Sequence, residues 1–214
     1  MFAYFVAGTA IVLGSLIGVR VFRSRKRARL MARPFPSEWK GFLEKRVALY
    51  RYIPNSLKGQ LHSDIQVFLA EKRFEGCGGF EITDEVRLTI AAQACILLLN
   101  HKTKFFSKLS TILVYPAAYV AKKMSPIGSE YVEEETVRLG ESWDGGTLVL
   151  AWDHVKHGPR DMNDGHNVVL HEFAHQLDQE EGGADGAPIL EHRSSYAPWA
   201  RILRREYENL REEV

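Results

Sequence analysis

The feature that most constrains the fold is the stretch NVVLHEFAHQLD at residues 167–178, which places two histidines four positions apart. Residues four apart lie on one face of an α-helix, so His171 and His175 can direct their imidazoles at one ion about 2.0–2.1 Å from each nitrogen. Uncharged residues surround the pair, as expected for a helix that packs inside a domain and presents one polar face. The stretch therefore predicts a packed helix that carries a metal site.

The acidic residues of the stretch suggest how such a site would work. Glu172 is rotated by about 100° from His171 on a helix, which suits a carboxylate that acts beside the metal rather than on it. Zn²⁺ activates water and polarises a carbonyl, and Glu172 could accept the proton of the attacking water as general base. Asp178 lies three positions after His175, where it could accept a hydrogen bond from a ligand histidine or be a solvated helix residue. The predicted site comprises His171 and His175 as zinc ligands, Glu172 as general base and Asp178 as a supporting residue.

A catalytic zinc site needs a third protein ligand. In the compact arrangement HExxHxxGxxH, positions 178 and 181 would be glycine and histidine, whereas here they are Asp178 and Glu181. The ligand would then be a later glutamate. The candidates after the motif are Glu180, Glu181, Glu191, Glu206, Glu208, Glu212 and Glu213. None of them is marked by a sequence pattern.

The N-terminus is the second constraining feature. Nineteen uncharged residues are followed by RVFRSRKRAR, and a helix of that length crosses a hydrocarbon core of about 30 Å. The charges follow the apolar run, which favours an uncleaved anchor with its downstream domain in the cytoplasm. We therefore expect a transmembrane anchor at residues 1–22, a basic linker at 23–33 and one domain at 34–214, located at the inner membrane.

Charge and cysteine content narrow the function further. Of 28 basic residues, six lie in the first thirty, which leaves 22 basic against 27 acidic residues in the rest of the chain. This balance does not indicate a nucleic-acid surface. Cys77 and Cys95 lie 18 positions apart without a CxxC pattern, so both are interpreted as structural.

The remaining sequence predicts a mixture of helices and strands. Helical patterns begin at Ser37, after Pro54 and at about Asp84, the last nearly all apolar and expected to be the central core helix. STILVYP and GTLVLAW are predicted strands, and EYVEEETVRLGE is an exposed strand or a loop. GTLVLAW could be a core strand or could bind an extended peptide along its edge. Asp164 or Asn163 could cap the motif helix.

Several blocks together resemble a known family. They are PFPSEWKGFLEKRVALYRYIP, FLAEKRFEGCGGFEITDEVRLTIAAQACILLL, TILVYPAAYV, GTLVLAWDHV, GHNVVLHEFAHQLD and GGADGAPIL. These blocks, from about residue 34 to 200, resemble the Mlc titration factor A family of zinc-dependent peptidases, peptidase family M90. The resemblance implies an α+β, zincin-like metallopeptidase domain with peptidase or aminopeptidase activity. By position, His171 and His175 match the zinc ligands and Glu172 the general base.

The resemblance also implies what to expect beyond the motif. In the family a glutamate within a pattern like DPAEFFAVLSE supplies the third ligand, and this chain has no such pattern. The domain is therefore expected to be truncated, with its third ligand beyond residue 214. Two functions are predicted: a zinc metallopeptidase acting on a peptide or protein substrate, or a non-catalytic, membrane-tethered protein that sequesters a transcriptional repressor.

Overall fold

The computed structural model describes residues 2–100, 105–127, 130–138, 140–143, 145–157, 167–180 and 192–212. Its helices are α1 (Phe2–Met31), α2 (Ser37–Arg46), α3 (Ala48–Tyr52), α4 (Asn55–Glu71), α5 (Asp84–Ile96), α6 (Trp152–His157), α7 (Val168–Glu180) and α8 (Tyr196–Glu212). Its strands are β1 (Arg73–Gly76), β2 (Thr111–Tyr115), β3 (Tyr119–Ile127), β4 (Glu130–Arg138), β5 (Gly140–Trp143) and β6 (Thr147–Ala151). The predicted mixture of helix and sheet is confirmed. The chain forms two compact units, Met1–Gln176 and Leu177–Val214.

The main sheet of the first unit has the strand order β1-β2-β6-β5. β1, β2 and β6 are parallel, and β5 runs antiparallel to β6. The predicted strands STILVYP and GTLVLAW are β2 and β6, which pair directly with Thr111 opposite Thr147. Since β6 is bonded on both sides, the hypothesis that its edge binds an extended peptide is wrong. β3 and β4 form a separate antiparallel pair, so EYVEEETVRLGE contributes a strand rather than a loop.

Gly146 fixes the start of β6. Its φ of +77° lies in the left-handed region, and a Cβ there would come 2.4 Å from the Lys108 carbonyl oxygen. Its own carbonyl oxygen accepts hydrogen bonds from the Ser110 and Thr111 backbone N–H groups at 2.8 and 3.2 Å. Only glycine combines this conformation with so close an approach, and the result is that β2 and β6 begin side by side.

α5 is the central core helix, as predicted. Every residue from Leu88 to Cys95 is buried, and the side chain of Thr83 caps the helix by accepting from the Val86 N–H. The interpretation of Cys95 as a structural residue agrees with its burial as a free cysteine, and burial raises the pKa of its thiol well above the ordinary value. The helix predicted to begin at Ser37 differs from expectation. It is divided by extended backbone at Val47 into α2 and α3.

Asp64 and Lys72 are charged side chains that are buried beside this helix. Asp64 of α4 is 3% exposed, and burial raises the pKa of its carboxyl to about 6, although the hydrogen bond from Gln60 acts in the opposite direction. Lys72 is 7% exposed and donates from Nζ to the carbonyl oxygens of Phe106 and Leu109 at 2.6 and 2.7 Å. These bonds hold a turn in which Phe106 has a φ of +52°, in the left-handed region. Because such backbone is costly for a large side chain, the buried Lys72 helps to define the turn.

The N-terminal helix is longer than the segment predicted as an anchor. α1 passes through the basic stretch without interruption, so residues 23–31 of the predicted linker are helical. Across the parts of the chain that the structure describes, no helix combines the length and the apolar character that a membrane crossing requires. The predicted transmembrane anchor at residues 1–22 is therefore not supported.

The basic end of α1 contacts α4. Arg27 donates from Nε and Nη2 to the two carboxylate oxygens of Glu71, both at 2.7 Å, and its guanidinium lies 4.6 Å from the centre of the Phe105 ring. Burial alone would raise the pKa of Glu71, but the hydrogen bond and charge of Arg27, with Lys72 and Lys26, hold this pKa below its usual value. A two-point arginine–carboxylate pair fixes direction as well as distance. The basic stretch therefore belongs to the folded first unit.

The second unit contains the last residues of α7, a short 3-10 turn at Arg193–Ser195, and α8. On α8, Arg204 pairs with Glu208 at 2.9 Å and Arg205 with Glu206 at 2.7 Å. All four side chains are exposed, and such pairs contribute little to stability in water.

Candidate metal centre

Asn167 caps the helix that carries the two histidines. Its side-chain Oδ1 accepts from the Leu170 N–H at 2.9 Å, and its carbonyl oxygen accepts from the His171 N–H at 3.0 Å. α7 begins at the next residue, Val168. The predicted caps Asn163 and Asp164 lie outside the described residues, and it is Asn167 that supplies the side-chain cap.

The same asparagine attaches α7 to the core helix α5. Asn167 Nδ2 donates to Gln93 Oε1 at 2.8 Å, while Gln93 Nε2 donates to the Thr89 carbonyl oxygen at 3.2 Å. Gln93 is fully buried, so each of these bonds satisfies a polar group that water does not reach. Sequence reasoning missed both residues. The available signal was a glutamine inside the apolar run IAAQACILLL, because a polar side chain there requires partners.

The two sides of α7 have different environments. Val169, Glu172, Phe173 and Gln176 are buried, at 0, 7, 0 and 2% exposure. They follow the i, i+3, i+4, i+7 spacing of one helical face. His171 and His175 are exposed and lie on the other side. The predicted amphipathic arrangement is therefore present, and Glu172 lies on its buried face.

An aromatic cluster anchors the buried side. The Phe173 ring lies 4.9 Å from Phe106 and 5.7 Å from Phe68, measured between centroids, and Phe68 and Phe106 are 6.0 Å apart. These separations fall within the range in which edge-to-face and tilted aromatic pairs are favourable. The three rings come from α7, the turn held by Lys72, and α4. The cluster therefore fixes the rotation of α7 about its axis, which determines where its histidines point.

The two imidazoles are close together. Their Nε2 atoms are 3.2 Å apart, and the ring planes cross at 88° with centroids 4.7 Å apart. Two nitrogens that each lie about 2.0–2.1 Å from a tetrahedral zinc ion are about 3.3–3.4 Å apart. The observed separation is within about 0.2 Å of that value. His171 and His175 therefore fit a shared metal ion, with each ring presenting Nε2.

The described part of the chain offers no third protein ligand beside this pair. Within the described ranges, no group of three or more histidine, cysteine, aspartate or glutamate side chains is arranged to hold a metal ion. Of the glutamates considered from the sequence, Glu206 and Glu208 are paired with arginines on α8. Glu181, Glu191 and Glu213 lie outside the described residues.

Asp178 is the fourth residue of the predicted site. Asp178 lies in the second unit, half-buried in the last turns of α7, and its role as a supporting residue stays a prediction.

His62 lies outside the motif and is part of the packing of the first unit. Its ring stacks on Phe35 with centroids 4.1 Å apart, and its Nε2 lies 2.8 Å from the Tyr50 hydroxyl. Burial, and then the nearby positive charges of Lys40 and Lys58, lower the pKa of His62.

The sequence of this chain is similar to those of known proteins. Residues 22–214 match the sequence profile of the family described as Glucose-regulated metallo-peptidase M90. The chain is similar to Uncharacterized protein slr2042 of Synechocystis sp., with 42% identity over 211 residues, covering 94% of this chain and 77% of that protein. It is 32% identical to Mlc titration factor A of Escherichia fergusonii and 30% identical to that of Cronobacter sakazakii.

Each of these last two matches covers 152 residues, which is 69% of this chain and 55% of the relative. The chain thus spans about half the length of the Mlc titration factor A proteins that it matches. The predicted family is confirmed, and it implies a metal cofactor. On the match of residues 22–214 and the identity to these relatives, the chain belongs to the M90 family of glucose-regulated metallo-peptidases.

Proposed function

We propose that this protein is a zinc-dependent metallopeptidase that hydrolyses peptide bonds, acting as an amino- or endopeptidase. The observation that carries the proposal is the 3.2 Å separation of the His171 and His175 Nε2 atoms on one exposed face of α7. Membership in the M90 family supports the same reaction class. Imidazole nitrogens are ligands that suit zinc, and zinc in proteins is usually four-coordinate and tetrahedral, which is the geometry that the observed separation fits.

The proposed roles are those that the resemblance to the M90 family implies for the matching residues of α7. His171 and His175 would hold the ion through Nε2, and the ion would supply Lewis acidity for water and for the substrate carbonyl. Glu172, next to His171, would accept the proton of the attacking water and return it to the leaving amine. Asp178 would orient one of the histidine rings. The cap at Asn167 and the aromatic cluster hold α7 in the position that presents the two imidazoles together.

Metal content and cleavage together test this proposal. We expect the chain to bind about one zinc ion and to cleave small peptides, and the Glu172→Gln variant to lose cleavage by about 10²–10⁴-fold while keeping its metal. His171→Gln and His175→Gln should lose the metal as well. His154→Gln is the matched control, because His154 is a described histidine of another helix, near Asp153.

Two results would contradict the proposal. One is a protein without zinc after dialysis against a zinc buffer. The other is a Glu172→Gln variant that cleaves peptides as fast as the wild type. An effect of His154→Gln equal to that of His171→Gln would show that the metal binds elsewhere.

The names of two relatives favour a second function. Proteins named Mlc titration factor A are 30–32% identical to this chain, and that name refers to a regulator that is titrated. We infer as an alternative that this chain binds a transcriptional regulator without cleaving it. Capture of a purified regulator by the His171→Ala/His175→Ala variant would support this alternative, and capture that requires both histidines would oppose it.

The location at the cytoplasmic side of the inner membrane stays a proposal from the sequence. Separation of cell membranes from cytosol, followed by a salt wash, tests it directly. Salt-resistant sedimentation with the membranes is expected if residues 1–22 insert. Recovery in the cytosol would contradict the proposed location.

A further inference from the structure

The first unit contains a pocket of about 260 Å³ between α2, α3, α5 and α6. Four basic side chains line it: Lys45 and Arg46 from α2, Arg51 from α3 and Lys156 from α6. Glu85 at the start of α5 is the acidic residue among the lining side chains. None of the motif residues of α7 lines this pocket.

The side chains that line the pocket are net positive, whereas the rest of the chain after residue 30 is net negative. Four cations against one carboxylate give a formal charge of +3, whereas the chain after residue 30 is net negative by 5. Among the described residues, none of the four cations forms an ion pair. Arg51 donates from Nε to the Glu44 carbonyl oxygen at 2.9 Å, which orients its guanidinium and leaves both terminal nitrogens for a ligand. Such a concavity focuses a positive potential and attracts anions.

The base of the pocket differs from its charged rim. Trp152 and Thr89 line it and are 8 and 5% exposed, so both are parts of the folded core rather than mobile surface side chains. Lys156 Nζ lies 5.7 Å from the centre of the Trp152 ring, which places a cation beside a flat aromatic wall. The pocket therefore combines several cations with a surface on which a planar organic group could pack.

We propose that this pocket binds a small phosphate-bearing anion, with phosphate among the four cations and any planar organic group against Trp152. Arginine guanidinium groups match the oxygens of phosphate with paired donors, and a formal charge of +3 favours a dianion over a carboxylate. The volume is below the range of about 300–1,000 Å³ that is usual for drug-sized ligands, so the ligand is a small molecule.

Tryptophan fluorescence and calorimetry test this proposal with three probes: inorganic phosphate, phenyl phosphate and benzoate. We expect saturable binding of phenyl phosphate with a Kd of about 1 mM or lower, and binding of benzoate at least about tenfold weaker. Tighter binding of phenyl phosphate than of inorganic phosphate identifies a phosphate ester as the ligand class. Equal affinities identify free phosphate. The Trp152→Phe variant should lose the fluorescence change while calorimetry still detects binding.

A matched pair of variants separates the pocket from general electrostatics. Arg46→Glu and Lys40→Glu change the net charge equally and lie on the same helix, but Lys40 does not line the pocket. We expect Arg46→Glu to weaken phosphate binding at least about tenfold and Lys40→Glu to weaken it less than about threefold. The proposal is overturned by an absence of saturable binding, by equal effects of the two variants, or by benzoate binding as tightly as phenyl phosphate.

Discussion

The two faces of α7 are held by different means. The buried face is fixed by the aromatic contacts of Phe173 and by the cap at Asn167, whereas the exposed face carries His171 and His175, which contact each other. The difference separates the packing of the helix from its two proposed metal ligands, although Glu172, the proposed general base, lies on the buried face. The packing that positions the imidazoles is complete without them, so the folding of the first unit should be insensitive to changes on the histidine face and sensitive to changes behind it.

The largest effect is expected from Phe173→Ala. Removing a fully buried ring from the contacts with Phe68 and Phe106 should lower the free energy of unfolding by about 3–5 kcal/mol. Urea unfolding followed by circular dichroism measures this loss. Phe173→Leu, which keeps much of the volume, is the control and should cost about half as much. A loss below about 1 kcal/mol for Phe173→Ala would show that the cluster does not hold the buried face.

A smaller loss is expected from Asn167→Ala, which removes the cap of α7 and the donor to Gln93. The free energy of unfolding should fall by about 2 kcal/mol, of which about 1 comes from the cap. Asn167→Asp separates the two roles. It keeps an acceptor for the Leu170 N–H but cannot donate to Gln93, so it should lose only the second part. If Asn167→Ala and Asn167→Asp lower the free energy of unfolding equally, the whole effect comes from the contact with Gln93 and not from the cap.

The core of the first unit should also respond to pH, through Asp64 of α4. Its folded-state pKa of about 6 lies above the ordinary 3.8, so the folded state takes up the proton first. Stability should therefore rise as pH falls from above 6 towards 4. Asp64→Asn should be more stable than the wild type by about 1–2 kcal/mol near pH 8, with the difference disappearing near pH 4.

Urea unfolding at several pH values measures this difference. The exposed carboxylate Glu81 provides the control, and Glu81→Gln should follow the pH dependence of the wild type. If Asp64→Asn shows the same pH dependence as the wild type, burial of Asp64 does not govern the response.

The smallest effect on stability is expected on the histidine face. In protein freed of metal by a chelator, His171→Ala should change the free energy of unfolding by less than about 0.5 kcal/mol, because the side chain is exposed. Addition of zinc should then raise the Tm of the wild type and leave that of the variant unchanged. A loss above about 2 kcal/mol in the metal-free protein would remove the distinction between the two faces.

The sequence predicted the helices and strands around the site better than the contacts that hold them in place. The histidine spacing predicted α7, its amphipathic character and the residues that meet on one face, because helical geometry alone determines these properties. The apolar run of α5 and the strands β2 and β6 were predictable from composition and length. Their pairing side by side depends on contacts distant in the sequence, such as the close approach of Gly146 to Lys108.

The contacts that hold these elements in place could not be predicted from the sequence in the same way. Three polar residues, Asn163, Asp164 and Asn167, could each have capped α7, and the spacing of the motif does not distinguish them. Burial of Lys72 depends on the carbonyl groups of a left-handed turn more than thirty residues away. The predicted anchor was inferred from the nineteen uncharged residues and the basic stretch after them, whereas α1 continues through that stretch, in which Arg27 pairs with Glu71.

The burial of Lys72 has a practical consequence for following the motions of this protein. An amine that is 7% exposed and bonded to two carbonyl oxygens should resist acylating reagents and trypsin as long as the turn at Phe106 stays closed. The exposed Lys40 and Lys45 of α2 should be modified at once. Phe106 packs directly against Phe173 on the buried face of α7. The rate at which Lys72 becomes labelled should therefore report how often the aromatic cluster behind the two histidines opens.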